Sequence, residues 1–418
     1  MVNTLYFLIL SIIIIDFAFE RWLDYLNATR WSATLPPEFK GIYDEDKYTK
    51  SQEYEKEKHR FSLLISSLGF ACIILLFSLG GFGWLDQVIR EKISNPILIA
   101  LIFFGILGLV SDILSLPFSW YEIFHIETKF GFNTSTPKLF IFDHLKSMMV
   151  AIILGGAILS LIVWIYQIAG NLFWVYALIV ITSFSFFMTL FYSNLIVPLF
   201  NKQTLLADGI LKTAIQDLCT KVGFNLDKIF IIDGSKRSTK ANAYFTGLGK
   251  KKRIVLYDTL INDLETEEIV AVLAHEIGHY KKRHVIYTLI LSFLSTALML
   301  YIFSLVSGNV AFAKVLGAKE TGFHLAIVTF GILYSPLSFI IGIGMNIFSR
   351  RNEFEADNFA AKYYDGSSLA SALKRLSVKN LSNLTPHPVY VFFHYSHPSL
   401  LERLKNLDNH SQDVFPGK

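Results

Sequence analysis

Over 418 residues the chain is 53% hydrophobic and only 17% charged, with a mean hydropathy of +0.45 and a net charge of +4. Those values exclude a disordered chain and an ordinary soluble one, and the small net charge gives no footing for nucleic acid. Two cysteines, Cys72 and Cys219, can build neither a disulfide framework nor a cysteine-rich metal site.

A spanning helix needs about 20 mostly apolar residues. Seven stretches qualify, at 4–19, 61–85, 96–119, 147–169, 172–200, 285–313 and 323–348. Asp16 breaks the first late and Asp112 sits inside the third, while the other five carry no charge. The chain start lacks a basic segment and no small-residue cleavage site follows, so 4–19 reads as a retained span. Gly170-Asn171 separates the fourth and fifth stretches and predicts a hairpin. An ionised Asp112 at mid-membrane costs at least about 2.5 kcal/mol. It is therefore expected to face water or a partner, lining an internal chamber.

Charge asymmetry sets the expected orientation. The segments 20–60, 120–146 and 201–284 and the tail from 349 together hold 34 of the 38 Lys and Arg residues. Positive segments stay cytosolic, so the N-terminus is expected in the lumen or periplasm and the C-terminus in the cytosol. The polar loop 29–60, with Pro36-Pro37 and Tyr43, Tyr48 and Tyr54, has nearly balanced charges and reads as a solvated linker.

Residues 201–284 read as a cytosolic α+β piece. An amphipathic helical pattern runs from Leu205 to Val222, followed by strands at 228–233, 241–246 and 253–257 and a hairpin turn at 247–252. Residues 242–246 are the candidate edge strand for an extended substrate, with Asn242, Ala243 and Tyr244 as its binding residues.

The most informative run follows: His275-Glu276-Ile277-Gly278-His279. On a helix, residues i and i+4 share a face, so His275 and His279 can hold one zinc ion together. Glu276 stands where a general base toward an activated water is needed. The preceding 267–274 run has acidic residues in its first turn and no breaker.

A catalytic zinc takes three protein ligands. After the seventh stretch, Glu353 and Asp357 are four apart and share a face, so one can bind metal while the other holds a ligating histidine's N–H. Glu355 points elsewhere, and His284 and His397 compete for the third position. Near the end, Tyr395-Ser396-His397-Pro398 opens another helix, where His397 and Arg403 can stabilise an oxyanion or grip a carboxylate.

Taken together, these segments resemble the CAAX prenyl protease 1 family, integral-membrane zinc endopeptidases of the gluzincin type. The resemblance covers nearly the whole chain and rests on seven spans, HEIGH between spans five and six, and the N-E-F-E-A-D-x-F-A run after span seven. It rests also on Y-S-H-P-S-L-L-E-R-L, on the early run from Pro36-Pro37-Glu38-Phe39 to Tyr54, and on Asn242-Ala243-Tyr244-Phe245. It implies an all-α polytopic membrane protein, seven transmembrane helices forming a chamber, with a cytosolic zincin-like α+β catalytic region. Four parts follow: spans one to five over 1–200, a peptidase region over 201–284, spans six and seven over 285–348, and a C-terminal part over 349–418.

By the same resemblance His275, His279 and Glu353 ligate one zinc per chain, Glu276 is the base and Asp357 supports a ligand. Asn242, His397 and Arg403 contact substrate or transition state. Glu355 stands where some members carry Gln. The implied activity removes the last three residues of a prenylated C-a-a-X end, in the reticulum membrane of a eukaryote or the inner membrane of a bacterium, by a monomer among membrane lipids. Two other readings compete. One is a quality-control protease of membrane proteins that needs no prenyl group. The other is a seven-span receptor or transporter, which has no use for HEIGH plus Glu353.

Overall fold

Each apolar stretch folds as a helix that outruns or divides it. The computed structural model describes residues 2–32, 34–35, 37–41, 44–226, 228–246 and 253–414. Among them, seven helices are long and apolar enough to cross a membrane: Val2–Ala28, Glu45–Ser78, Pro96–Phe130, Pro137–Ile168, Gly170–Phe200, His284–Val306 and Phe323–Tyr363. Asn95 and Thr136 start the third and fourth by accepting amide hydrogen bonds, each with proline at the next position, where a missing N–H costs nothing.

Several spans are longer than their apolar stretches, and three C-terminal boundaries matter most for the architecture. The second span stops at Ser78, and Gly80, at φ 67°, turns the chain into a separate helix, Gly81–Arg90. A Cβ on Gly83 would sit 2.2 Å from the Gly317 carbonyl carbon, so glycine is required at that crossing. The sixth span ends at Val306, and Asn309 caps a short helix, Val310–Lys314. The seventh does not stop at the membrane edge but runs unbroken to Tyr363, carrying Glu353 and Asp357 on one rigid rod.

The solvated-linker reading of 29–60 is corrected. Residues from Glu45 extend the second span, and Tyr48, Ser51, Gln52 and Tyr54 are buried. The Tyr54 hydroxyl donates to Glu127 Oε1 at 2.5 Å, and Lys240 Nζ donates to Glu127 Oε2 at 2.7 Å. This ties the second and third spans to the sheet region. Pro36 and Tyr43 lie outside the described residues.

The spans are lightly packed against one another. Only 6–17% of the residues in each span's most apolar window are buried. The chain exposes 22382 Å² at a mass of 47.5 kDa, whereas a compact monomer of that mass exposes roughly 16,000 Å². The excess is carried by the apolar side chains that the spans leave uncovered. Asp112 has its partner there: its Oδ2 is 3.0 Å from His144 Nε2 on the fourth span.

Beside the spans lies a mixed sheet, in spatial order β1 (Gln203–Leu205), β2 (Lys228–Ile232), β4 (Arg253–Tyr257) and β3 (Ala243–Thr246). The β2–β4 pair is parallel and the other two antiparallel, with Tyr244 opposite Val255. Leu205 is therefore a strand residue, and the amphipathic helix is confined to Ile210–Lys221. Pairing with Phe230 overrides Leu205's fit to the helical period. The expected turn at 247–252 lies outside the described residues. One sheet face joins the core around Ile254, Leu256, Ile269 and Leu273, and the other turns toward the spans through Val197, Tyr244 and Tyr257.

Candidate metal centre

The HEIGH residues lie on a helix, Thr266–Lys281, that is buried along most of its length. A capping box starts it: the Glu268 carboxylate accepts from the Glu265 amide at 3.0 Å. The same carboxylate meets Arg375 Nε at 3.1 Å. Ile269, Val270, Leu273, Ala274 and Ile277 anchor the helix in the sheet-side core.

Gly278 sets its distance from the seventh-span helix. A Cβ there would meet Ala356 Cα at 3.1 Å and the Ala356 carbonyl oxygen at 3.2 Å, both backbone atoms that cannot swing away. The second variable position of the motif thus determines how close Glu353 comes to the histidines. Gly278→Val should push the helices apart and weaken metal binding on the order of tenfold, as for other groups that position ligands. Metal retained after dialysis against a graded chelator is the readout, and wild-type retention would show that the close approach does not govern the site.

The two elements bring three side chains together. Ligand atoms of His275, His279 and Glu353 lie within 4.8 Å of one another. The Nε2 atoms of the two histidines are 3.1 Å apart, and Glu353 Oε1 and Oε2 lie 3.3 Å from His279 Nε2 and 3.5 Å from His275 Nε2. Glu353 is buried, and beyond the two motif histidines its Oε2 has His397 Nδ1 at 3.0 Å.

Their outward-facing nitrogens settle the tautomers. His275 Nδ1 is 2.8 Å from Asp357 Oδ1, which accepts its proton. His279 Nδ1 is 3.0 Å from His284 Nδ1, whose own Nε2 is 3.4 Å from Glu355 Oε2. A proton on each Nδ1 of the pair and on His284 Nε2 satisfies both chains and leaves both Nε2 lone pairs aimed at one point. Burial by itself lowers the His275 pKa, yet hydrogen bonds to Asp357 and Glu353 outweigh it and push it up to about 9. The pocket thus draws in positive charge. Converging imidazoles, a buried carboxylate facing them and that pull all fit a divalent metal ion.

The remaining expected residues fall around this point. Glu276 is half-buried on the same helix. His397 is 64% exposed with its Nδ1 3.0 Å from Glu353 Oε2, so it stands at the open side of the site. Arg403 lies behind the ligand set, against Asp357. Its Nε and Nη2 donate to Asp357 at 2.9 and 2.5 Å, and only Nη1, 3.7 Å from Glu353 Oε2, faces the centre. The buried Asp357 carboxylate takes the guanidinium as its counter-charge. Asp357 thus pairs with both Arg403 and His275.

Glu355 and His284 were read as bystanders or rivals, yet they line up behind His279. The only sequence signal is a histidine five residues past the motif, a spacing that no helical face makes obvious. Asn242 Oδ1 accepts from the Ala243 amide at 2.8 Å, ahead of β3, the sheet's outer strand. Ala243 packs toward the sheet-side core and Tyr244 toward the spans.

Residues 206–411 match the model of peptidase family M48, and residues 24–202 match that of the CAAX prenyl protease N-terminal region, five membrane helices. Fold, site and match together define a multi-pass membrane metalloprotease. CAAX prenyl protease 1 of Saccharomyces cerevisiae is 37% identical over 94% of this chain and 93% of its own. The homolog of Arabidopsis thaliana is 36% identical over 96% of each chain, and that of Homo sapiens 31% identical over 90% and 89%. The crystal structure of S. mikatae Ste24p superposes with a TM-score of 0.92 at 37% identity, covering 97% of this chain and 99% of that one. The chain belongs to the CAAX prenyl protease 1 family.

Proposed function

We propose that the protein is a zinc endopeptidase that removes the last three residues of a prenylated C-a-a-X sequence. The observation that carries the metal half of this reading is the convergence of His275, His279 and Glu353, with the buried Glu353 carboxylate facing both histidine Nε2 atoms. The names of the relatives carry the substrate half. His275, His279 and Glu353 hold the ion, and Asp357 and the His284–Glu355 pair hold the histidines. Arg403 is a positioning residue acting through Asp357.

When bound, zinc polarises the scissile carbonyl and makes a water molecule acidic enough to lose a proton near neutral pH. Glu276 takes that proton and returns it to the leaving amine. His397, at the open side, donates to the oxygen that gains negative charge. Asn242, Ala243 and Tyr244 lay the substrate against the β3 edge by backbone hydrogen bonds. The Lys and Arg asymmetry supports a cytosolic apparatus with the N-terminus across the membrane, and the family resemblance supports the reticulum membrane in a eukaryotic host and the inner membrane in a bacterium. The division into spans over 1–200 and 285–348 and polar parts over 201–284 and 349–418 follows, with a monomer as the working unit.

Purified protein in detergent, given two C-a-a-X peptides differing only in a farnesyl group on cysteine, tests the reading. Chelator-sensitive release of the last three residues from the farnesylated peptide is the expected mass-spectrometric result. Equal or scattered cutting of both would replace it with the quality-control reading.

A further inference from the structure

We propose that the cavity between the sheet and the fourth and fifth spans is the binding site of the substrate's isoprenyl chain. This inference rests on the prenyl-protease reading and adds where the lipid goes. The cavity holds about 1200 Å³, above the roughly 300–1,000 Å³ of small-molecule sites and more than a peptide side chain requires. On the membrane side Phe140, Met188, Tyr192 and Phe200 wall it, and on the site side Tyr244 and Tyr280 do. Tyr244 belongs to the edge strand and Tyr280 follows the ligand candidate His279. One space thus runs from the place where the scissile peptide is held to the side chains of the spans, as a lipid joined to the residue being cut requires.

Each charged group on its wall has an ion-pair partner, while Arg237 Nη1 and Asp143 Oδ1 are buried without a hydrogen bond. Arg237 Nε donates to Asp143 at 2.7 Å and its Nη2 to the Phe200 carbonyl at 2.6 Å. His144 meets Asp112 at 3.0 Å, and Glu127 meets Lys240 at 2.7 Å. With its charges paired within the protein, the wall offers mainly apolar and aromatic surface to a guest, which suits a hydrocarbon better than a peptide.

A second apolar cavity, of about 750 Å³ near Phe104, Phe184 and Phe323, is too distant. Its wall reaches Gly331, and the unbroken helix from there to Glu353 is about 33 Å long at 1.5 Å per residue. An isoprenyl chain of about fifteen carbons extends at most roughly 20 Å.

The test uses the full chain, a Ser147→Trp variant that fills the first cavity from the fourth span, and C-a-a-X peptides with farnesyl or methyl on the cysteine sulfur. The variant's KM for the farnesylated peptide should rise tenfold or more, and its cutting of the methylated peptide should match wild type. Equal effects on both peptides, or none on the farnesylated one, overturn the assignment. A farnesyl analogue with a photoreactive terminus, bound to wild-type protein, decides the matter should the variant cut neither peptide. Adducts at Phe140, Met188, Tyr192 or Phe200 support the site, and adducts at Phe104 or Phe323, or on no residue, refute it. Prenyl dependence that persists while the label falls elsewhere sinks this inference alone, whereas wild-type indifference to the farnesyl group removes the parent reading with it.

Discussion

Glu276→Gln is expected to leave one metal ion per chain in place and to lower kcat by about 10²–10⁴-fold, the usual contribution of a positioned acid–base group. The amide keeps the size and most hydrogen bonds of the carboxylate but cannot take a proton from water. Glu276 is not among the three converging side chains, so its removal takes nothing from the metal. Metal content and turnover should therefore separate cleanly in one preparation. Loss of the ion together with activity would mean that Glu276 is a ligand, and the roles given to this site would have to be redrawn.

Glu353→Gln should fail at the earlier step. It removes the one anionic member of the converging set, so metal affinity should fall by more than about 100-fold, beyond the 10–100-fold typical of residues that only orient ligands. Asp357→Asn is the internal comparison. It still accepts the His275 N–H but loses the charge facing Arg403, so it belongs in the 10–100-fold range. Metal content after dialysis against a graded chelator ranks the two variants. If Glu353→Gln keeps its metal as wild type does, the third ligand lies elsewhere, and His397, 3.0 Å from Glu353 Oε2, is the next side chain to vary.

Much of this was legible in the sequence because it depends on short-range repetition. Apolar runs of spanning length must satisfy their backbone internally once in lipid, which leaves them only the helix. The spacing of His275 and His279 places both on one face once that helix exists. Glu353 and Asp357 were recognisable as a pair for the same reason, though only resemblance separated ligand from support. The support of each ligand was not legible. Arg403 reaches Asp357 across 46 residues, and Glu355 reaches His284 across 71. No periodicity encodes such contacts, which exist because helices distant in the chain pack side by side.

The sequence by itself determined the membrane class, the seven helices and the chemistry of HEIGH, since each follows from the identity and spacing of neighbouring residues. Only the tertiary structure decided that Gly278 brings the motif helix against Ala356, that Arg403 answers Asp357, and that Leu205 joins a strand. These outcomes depend on which surfaces meet, and close packing between remote segments resolves that where local preference cannot.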